Sequence, residues 1–182
     1  LLFVPVLAIG TTAATTVENW PQWRGPTLNG ISNETDLPLT WDAETNIAWK
    51  LEMPAWSGST PILWGEHLFL NVADGEDLHL WRIDPNTGEP TWKRFLSGNN
   101  HRERKQNMSS PSPVTDGEHV WVMTGTGALR AFDFDGNEVW ARNIQEDYGK
   151  FGLNWGYASS PLLHEDALIL PVMQGMRTDD PS

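Results

Sequence analysis

Between Ser112 and Trp140 the chain reads SPVTDGEHVWVMTGTGALRAFDFDGNEVW, with short apolar runs broken by Gly-containing pairs. The pattern predicts four β-strands at Ser112–Thr115, His119–Met123, Ala128–Phe132 and Glu138–Trp140. Asp116-Gly117, Gly125-Thr126-Gly127 and Asp135-Gly136 separate them. Asp-Gly between apolar runs is a strong hairpin signal, because glycine accepts the positive φ of a tight turn. Four strands joined by tight turns form an antiparallel meander, and one such sheet cannot bury both of its faces alone.

The same pattern occurs elsewhere. Ser59-Thr60-Pro61-Ile62-Leu63-Trp64-Gly65-Glu66-His67 aligns with Ser112-Pro113 onward and with Ser160-Pro161 onward. Pro61 and Pro113 are 52 residues apart, and Pro113 and Pro161 are 48 apart. The closing half repeats as well: Asp84…Gly88…Trp92 matches Asp133…Gly136…Trp140, with 48 residues between the tryptophans. A period of about 40–50 residues with four strands per unit predicts an all-β fold, a β-propeller of four-stranded antiparallel blades. About three blades are present, of an expected seven or eight.

The units divide the chain. Residues 57–96 read as blade 1, 97–108 as a polar loop, 109–144 as blade 2, 145–158 as a connection, and 159–182 as the truncated start of blade 3. Residues 18–56 are rich in Trp, Pro and Gly and read as an irregular segment packed on a preformed surface. Within them, about residues 45–51 resemble the last strand of a blade, so they are expected to close the ring and remove its open edge. No helix of any length is signalled. Residues 1–17 begin with the apolar run LLFVPVLAIG followed by small residues. That run is too short to span a bilayer and matches the remnant of a secretory signal. The expectations are an exported protein, periplasmic or extracellular, with no transmembrane span in the mature chain, and a fragment cut at both ends.

Composition narrows the function. A formal net charge of −12 argues against a nucleic-acid or anionic-lipid partner. The absence of cysteine rules out disulfide staples and thiolate chemistry in this segment. One basic cluster, His101-Arg102-Glu103-Arg104-Lys105, lies in the polar loop. Propeller sites sit on such loops and at the channel mouth. Position alone makes His101, Arg102, Arg104, Lys105, Trp155 and Tyr157 candidate contacts for a ligand or partner, against the plainer reading of loop and packing residues.

The unit ending Asp-x-x-x-Gly-x-x-x-Trp (Asp84, Gly88, Trp92), with the shorter variant Asp133, Gly136, Trp140, resembles the pyrroloquinoline-quinone (PQQ)-type repeat. That repeat builds the propellers of quinoprotein dehydrogenases and of a subunit of the outer-membrane barrel-assembly machinery. The resemblance implies that Trp49, Trp92 and Trp140 dock between neighbouring blades, with Asp84, Gly88, Asp133 and Gly136 as structural turn residues. It also raises a dehydrogenase holding PQQ and Ca2+ near the propeller axis through a Glu, an Asn and an Asp, but none of those motifs can be matched here.

Other motifs fail on their chemistry. In Asp133-Phe134-Asp135-Gly136-Asn137 the Gly is fourth, and position twelve is Ile144. A Ca2+-binding EF-hand loop needs Gly sixth and Glu twelfth. Gly125-Thr126-Gly127 lacks the third glycine and the helix of a dinucleotide fingerprint. The five histidines have no metal-ligand spacing, so no metal and no catalytic residue is assigned. The reading is an exported binding or scaffolding propeller whose unknown partner is a protein or a small-molecule ligand, with no catalysis by this segment. A PQQ- and Ca2+-dependent alcohol or sugar dehydrogenase, and a carbohydrate- or polymer-binding module, are the alternatives.

Overall fold

A computed structural model describes residues 18–35, 37–103, 105–152 and 156–173. The signal-remnant assignment (1–17) therefore lies outside the described residues, as do Arg104, Trp155 and the end of unit three.

Blade 1 is a meander of β1 (Ile62–Trp64), β2 (His67–Asp74), β3 (Asp77–Ile83) and β4 (Pro90–Ser97), hydrogen-bonded in that order. A two-stranded ribbon, β5 (Arg102–Glu103) and β6 (Gln106–Asn107), follows within the polar loop. Blade 2 comprises β7 (Val114–Thr115), β8 (His119–Met123), β9 (Ala128–Asp133) and β10 (Glu138–Asn143). Unit three contributes β11 (Leu162–His164) and β12 (Ala167–Ile169). All pairs are antiparallel. The fold is the propeller-type all-β architecture expected from the repeat.

One local expectation is corrected. A helix does form: α1 (Ile144–Tyr148) follows β10, with the Asn143 side chain accepting from the Gln145 N–H as its cap and Glu146 and Asp147 in its first turn. Five residues are too few for a helical period to show in sequence. Residues 45–51 are in no strand of the described chain.

The apolar core lies between sheets. Ile62, Phe69, Leu78, Leu80 and Leu96 of blade 1 pack against Val120, Val122 and Phe132 of blade 2. Met123 and Leu129 of blade 2 meet Ile144 and Tyr157, with Leu168 and Leu170 of unit three alongside. The opposite face of blade 1 (Val72, Trp81, Ile83) is covered by Trp49, Leu51 and Met53. Each blade thus supplies half of two cores, and burial at about 25 cal/mol per Å2 of apolar surface holds neighbours together.

The first strands lie side by side, β1 next to β7 and β7 next to β11, each at an edge of its sheet. Residues 18–25 run along this edge without a named strand. Trp20 bridges to Leu63 of β1, and the Thr115 N–H of β7 donates to the Pro21 carbonyl (2.9 Å). No helix among the described residues is long and apolar enough to cross a membrane.

Candidate functional site

The repeat's chemistry is spent first at the blade junctions. In blade 1 the Asp84 carboxylate accepts the Asn86 N–H (2.8 Å), and the Gly88 N–H closes the turn on the Asp84 carbonyl (2.8 Å). Gly88 has φ +76, and a Cβ there would lie 2.5 Å from the Trp49 ring. The Trp49 indole N–H donates to the Pro85 carbonyl (2.7 Å). One unit on, the Trp92 indole N–H donates to the Phe134 carbonyl (3.0 Å). Pro85 and Phe134 each follow the turn aspartate directly, so the two tryptophans reach equivalent atoms.

The second turn is one residue shorter, and the group over its glycine changes accordingly. Arg94 covers Gly136: its Nε donates to the Gly136 carbonyl (2.6 Å), and a Cβ at Gly136 would meet that nitrogen at 2.8 Å. Asp133 accepts from both the side chain and the backbone N–H of Asn137 (2.8 Å each), which holds its carboxyl below the ordinary carboxylate range. Trp140 sits at the same repeat position as Trp92 but lines a cleft of about 440 Å3 with Leu129, Arg142, Ile144, Leu168 and Leu170.

Several junction groups were not singled out from sequence. Asn71 is fully buried, and its amide donates to the carbonyls of Pro111 (3.0 Å) and Met123 (3.1 Å) across the blade 1–blade 2 boundary. A polar residue inside an apolar strand carries no sequence mark of such a role. The serines before the repeated prolines did carry a signal, their spacing. The Thr60 N–H donates to Ser112 Oγ (2.8 Å), and the Ser112 N–H donates to Ser160 Oγ (2.9 Å).

The two loops expected to carry contacts converge on one open cleft of about 380 Å3. His101 and Glu103 enter from the first loop, and Gln145, Lys150, Phe151 and Tyr157 from the second. His101 is exposed: its Nδ1 lies 2.9 Å from the Asn99 carbonyl and its Nε2 3.5 Å from Glu103 Oε1. Tyr157 is 1% exposed, stacks on Phe151 (centroids 4.5 Å apart), and donates its hydroxyl to the Pro171 carbonyl (2.9 Å). Burial raises the Tyr157 phenol to about 12. It therefore forms the floor of the cleft and is committed to packing. Arg102 points to a neighbouring cleft with Ala55, Asn100 and Asn107, its guanidinium 5.9 Å from the Trp56 ring. Lys105 is exposed in the β5–β6 turn. His101 and Tyr157 are thus brought together, and Arg102 and Lys105 lie apart from them. Arg104 and Trp155 are outside the described residues.

A further cavity, about 360 Å3, opens where the first strands begin. Equivalent positions of three units line it, Gly58, Ser110 and Ala158 in one tier and Thr60, Ser112 and Ser160 in the next, together with Trp23. Among the described residues no group of three His, Cys, Asp or Glu could hold a metal ion. Among the described residues the lining of this cavity contains no carboxylate, and Ca2+ takes six to eight oxygens including carboxylates. The residues present do not fit a Ca2+–quinone site.

No curated protein sequence matches the chain. Among solved structures it is similar to a quinohemoprotein alcohol dehydrogenase from Comamonas testosteroni, at 18% identity and a TM-score of 0.56 over 85% of this chain and 23% of that one. It is also similar to BamB from Moraxella catarrhalis, at 18% identity and a TM-score of 0.46 over 66% of this chain and 32% of that one. The chain therefore spans less than a third of the length of either, and the first likeness shows the propeller fold alone. A family profile described as outer membrane protein assembly factor BamB matches residues 31–154, well over half of the sequence, and the chain belongs to that family.

Proposed function

We propose that this chain is part of an exported PQQ-like propeller that acts as a binding and scaffolding platform for another envelope protein, using the cleft that residues 99–103 form with residues 143–151 and 156–157. The observation that carries this reading is the convergence of two loops, far apart in sequence, on one open surface beside a packed blade junction. That surface presents His101, Glu103 and Lys150 to solvent next to the Phe151 ring, a mixed polar and aromatic composition suited to a protein contact. Membership of a family described as an assembly factor supports it, and the apolar run at residues 1–10 supports export.

The same proposal includes the junction role of Trp49, Trp92 and Trp140 and the closing role of residues 45–51. Trp49 meets blade 1 at the atom equivalent to the one Trp92 meets on blade 2. That equivalence supports a closing role for residues 45–51.

Site-specific photo-crosslinking in the cell envelope tests the platform. A crosslinker placed at His101 or at Lys150 is expected to capture the same discrete protein, and Lys150→Glu is expected to abolish capture from His101. Crosslinks no stronger than those from a remote exposed position such as Glu52 would refute it. Saturable quenching by PQQ with Ca2+, accompanied by dye-linked oxidation of alcohols or sugars, would replace the platform with a dehydrogenase.

A further inference from the structure

The cavity at the starts of the first strands serves neither the blade junctions nor the loop cleft, and its chemistry differs from both. Among the described residues no ionisable side chain lines it. Its hydroxyls come from successive units in register, so its polarity is built into the repeat. Ser112 Oγ accepts the Thr60 N–H, and Ser160 Oγ accepts the Ser112 N–H. A hydroxyl that already accepts a backbone N–H still has its own O–H to donate. Ser110 is 6% exposed, and its Oγ has no hydrogen-bond partner. Buried hydroxyls are ordinarily paired, so an orphan at a cavity wall marks a position where an incoming polar group would be satisfied. Trp23 stands at the rim, 50% exposed.

We propose that this cavity binds a neutral polyhydroxylated ligand, a carbohydrate unit, with Trp23 against the C–H face of the sugar ring and the Ser110, Ser112 and Ser160 hydroxyls toward its oxygens. The volume lies at the small end of ligand pockets, about 300–1,000 Å3, enough for a single sugar unit. An indole offers a flat apolar face, which suits one side of a pyranose. A net charge of −12 and an uncharged lining favour a neutral occupant over an anion such as phosphate or a quinone carboxylate. The proposal stands independently of the platform reading, since it uses a different surface.

The test titrates the whole chain with glucose, maltotriose and chitotriose, using inorganic phosphate and pyrroloquinoline quinone as anionic comparators. Calorimetry and saturation-transfer NMR follow binding. Saturable binding of at least one neutral saccharide is expected, weakened about tenfold by Trp23→Ala, a difference that calorimetry resolves. Ser110→Ala removes an atom that bonds nothing in the protein, so it should weaken the saccharide severalfold and leave the unfolding midpoint in place. Preference for a trisaccharide assigns the site to a glycan chain, and equal binding of glucose assigns it to a free sugar. The proposal is overturned if no saccharide saturates the folded protein, if the anions bind in preference, or if saccharide binding survives both substitutions unchanged.

Discussion

Trp92 and Trp140 occupy the same position of the repeat, yet they sit in different surroundings, which makes their alanine variants a test of the junction. Trp92 is half-buried, donates its indole N–H to the Phe134 carbonyl, and lies 5.8 Å from Phe69 and 6.4 Å from Phe132 between ring centroids. Fully buried Trp→Ala substitutions cost about 3–5 kcal/mol. Partial exposure lowers that for Trp92, while a lost hydrogen bond of about 1 kcal/mol adds to it. A value near 3 kcal/mol follows, a large share of a typical stability of about 5–15 kcal/mol. Trp140 is 36% exposed along an open cleft, and its truncation in this chain should cost about 1 kcal/mol or less. Urea unfolding followed by far-UV circular dichroism, with m held common, gives both values. Trp92→Phe narrows the comparison, since it keeps an aromatic ring while losing the N–H bond and part of the ring volume. Equal costs for the two alanine variants, or a larger cost at Trp140, would refute the view that Trp92 stabilises by reaching the next blade.

Other expectations follow from single contacts. Asn71→Ala leaves the Pro111 and Met123 carbonyls without their donor. At about 1–3 kcal/mol for each unsatisfied buried group, the loss should approach ~4 kcal/mol in urea unfolding, whereas Ser59→Ala, whose hydroxyl is unpartnered, should be near neutral. Gly88→Val combines a strained φ with a clash against Trp49, so its thermal midpoint should drop by an amount equivalent to about 2 kcal/mol or more. Burial, and then the nearby Arg82 charge, holds the His67 imidazole below its ordinary range. The unfolded chain therefore takes up a proton that the folded one resists, and stability should fall as pH drops below about 6.5. His67→Leu should flatten that part of the profile, and an unchanged slope would remove His67 as its cause. The raised Tyr157 phenol acts at the opposite end: it keeps its proton in the fold, so its contribution is complete below about pH 10 and lost as pH rises toward about 12. Urea midpoints measured between pH 9 and 12, with Tyr157→Phe as reference, read that loss.

The strands of blade 2 were legible because Asp116-Gly117 and Asp135-Gly136 demand positive φ at fixed spacing, and both glycines have it, at +99° and +83°. The pairing runs further than the pattern indicated, since β10 reaches Asn143 where the apolar signal stops at Trp140. Its last three residues, exposed Ala141 and Arg142 and half-buried Asn143, are held by backbone bonds to β9, and such bonds leave no compositional trace. The α1 helix was illegible for the opposite reason, being too short for periodicity and defined by one cap. Trp49 and Trp92 could be picked out by spacing, but which carbonyl each reaches depends on the turn of another unit. The cleft shared by His101 and Tyr157 was legible only as two separate loops. Nothing local to either segment says that the β5–β6 ribbon and the α1 connection meet above the same strand ends.

The serine hydroxyls at the first strands have a consequence for how such a chain lengthens. Unit two donates its Ser112 backbone N–H to the Ser160 hydroxyl of its successor and accepts the Thr60 N–H of its predecessor on its own Ser112 hydroxyl. A duplicated unit would therefore arrive carrying both halves of the connection, and would fit between its neighbours without any new complementary surface. Stability in such an array is shared between adjacent units, as in other repeat proteins. Gene duplication could then change the number of blades while leaving the rule that joins them untouched.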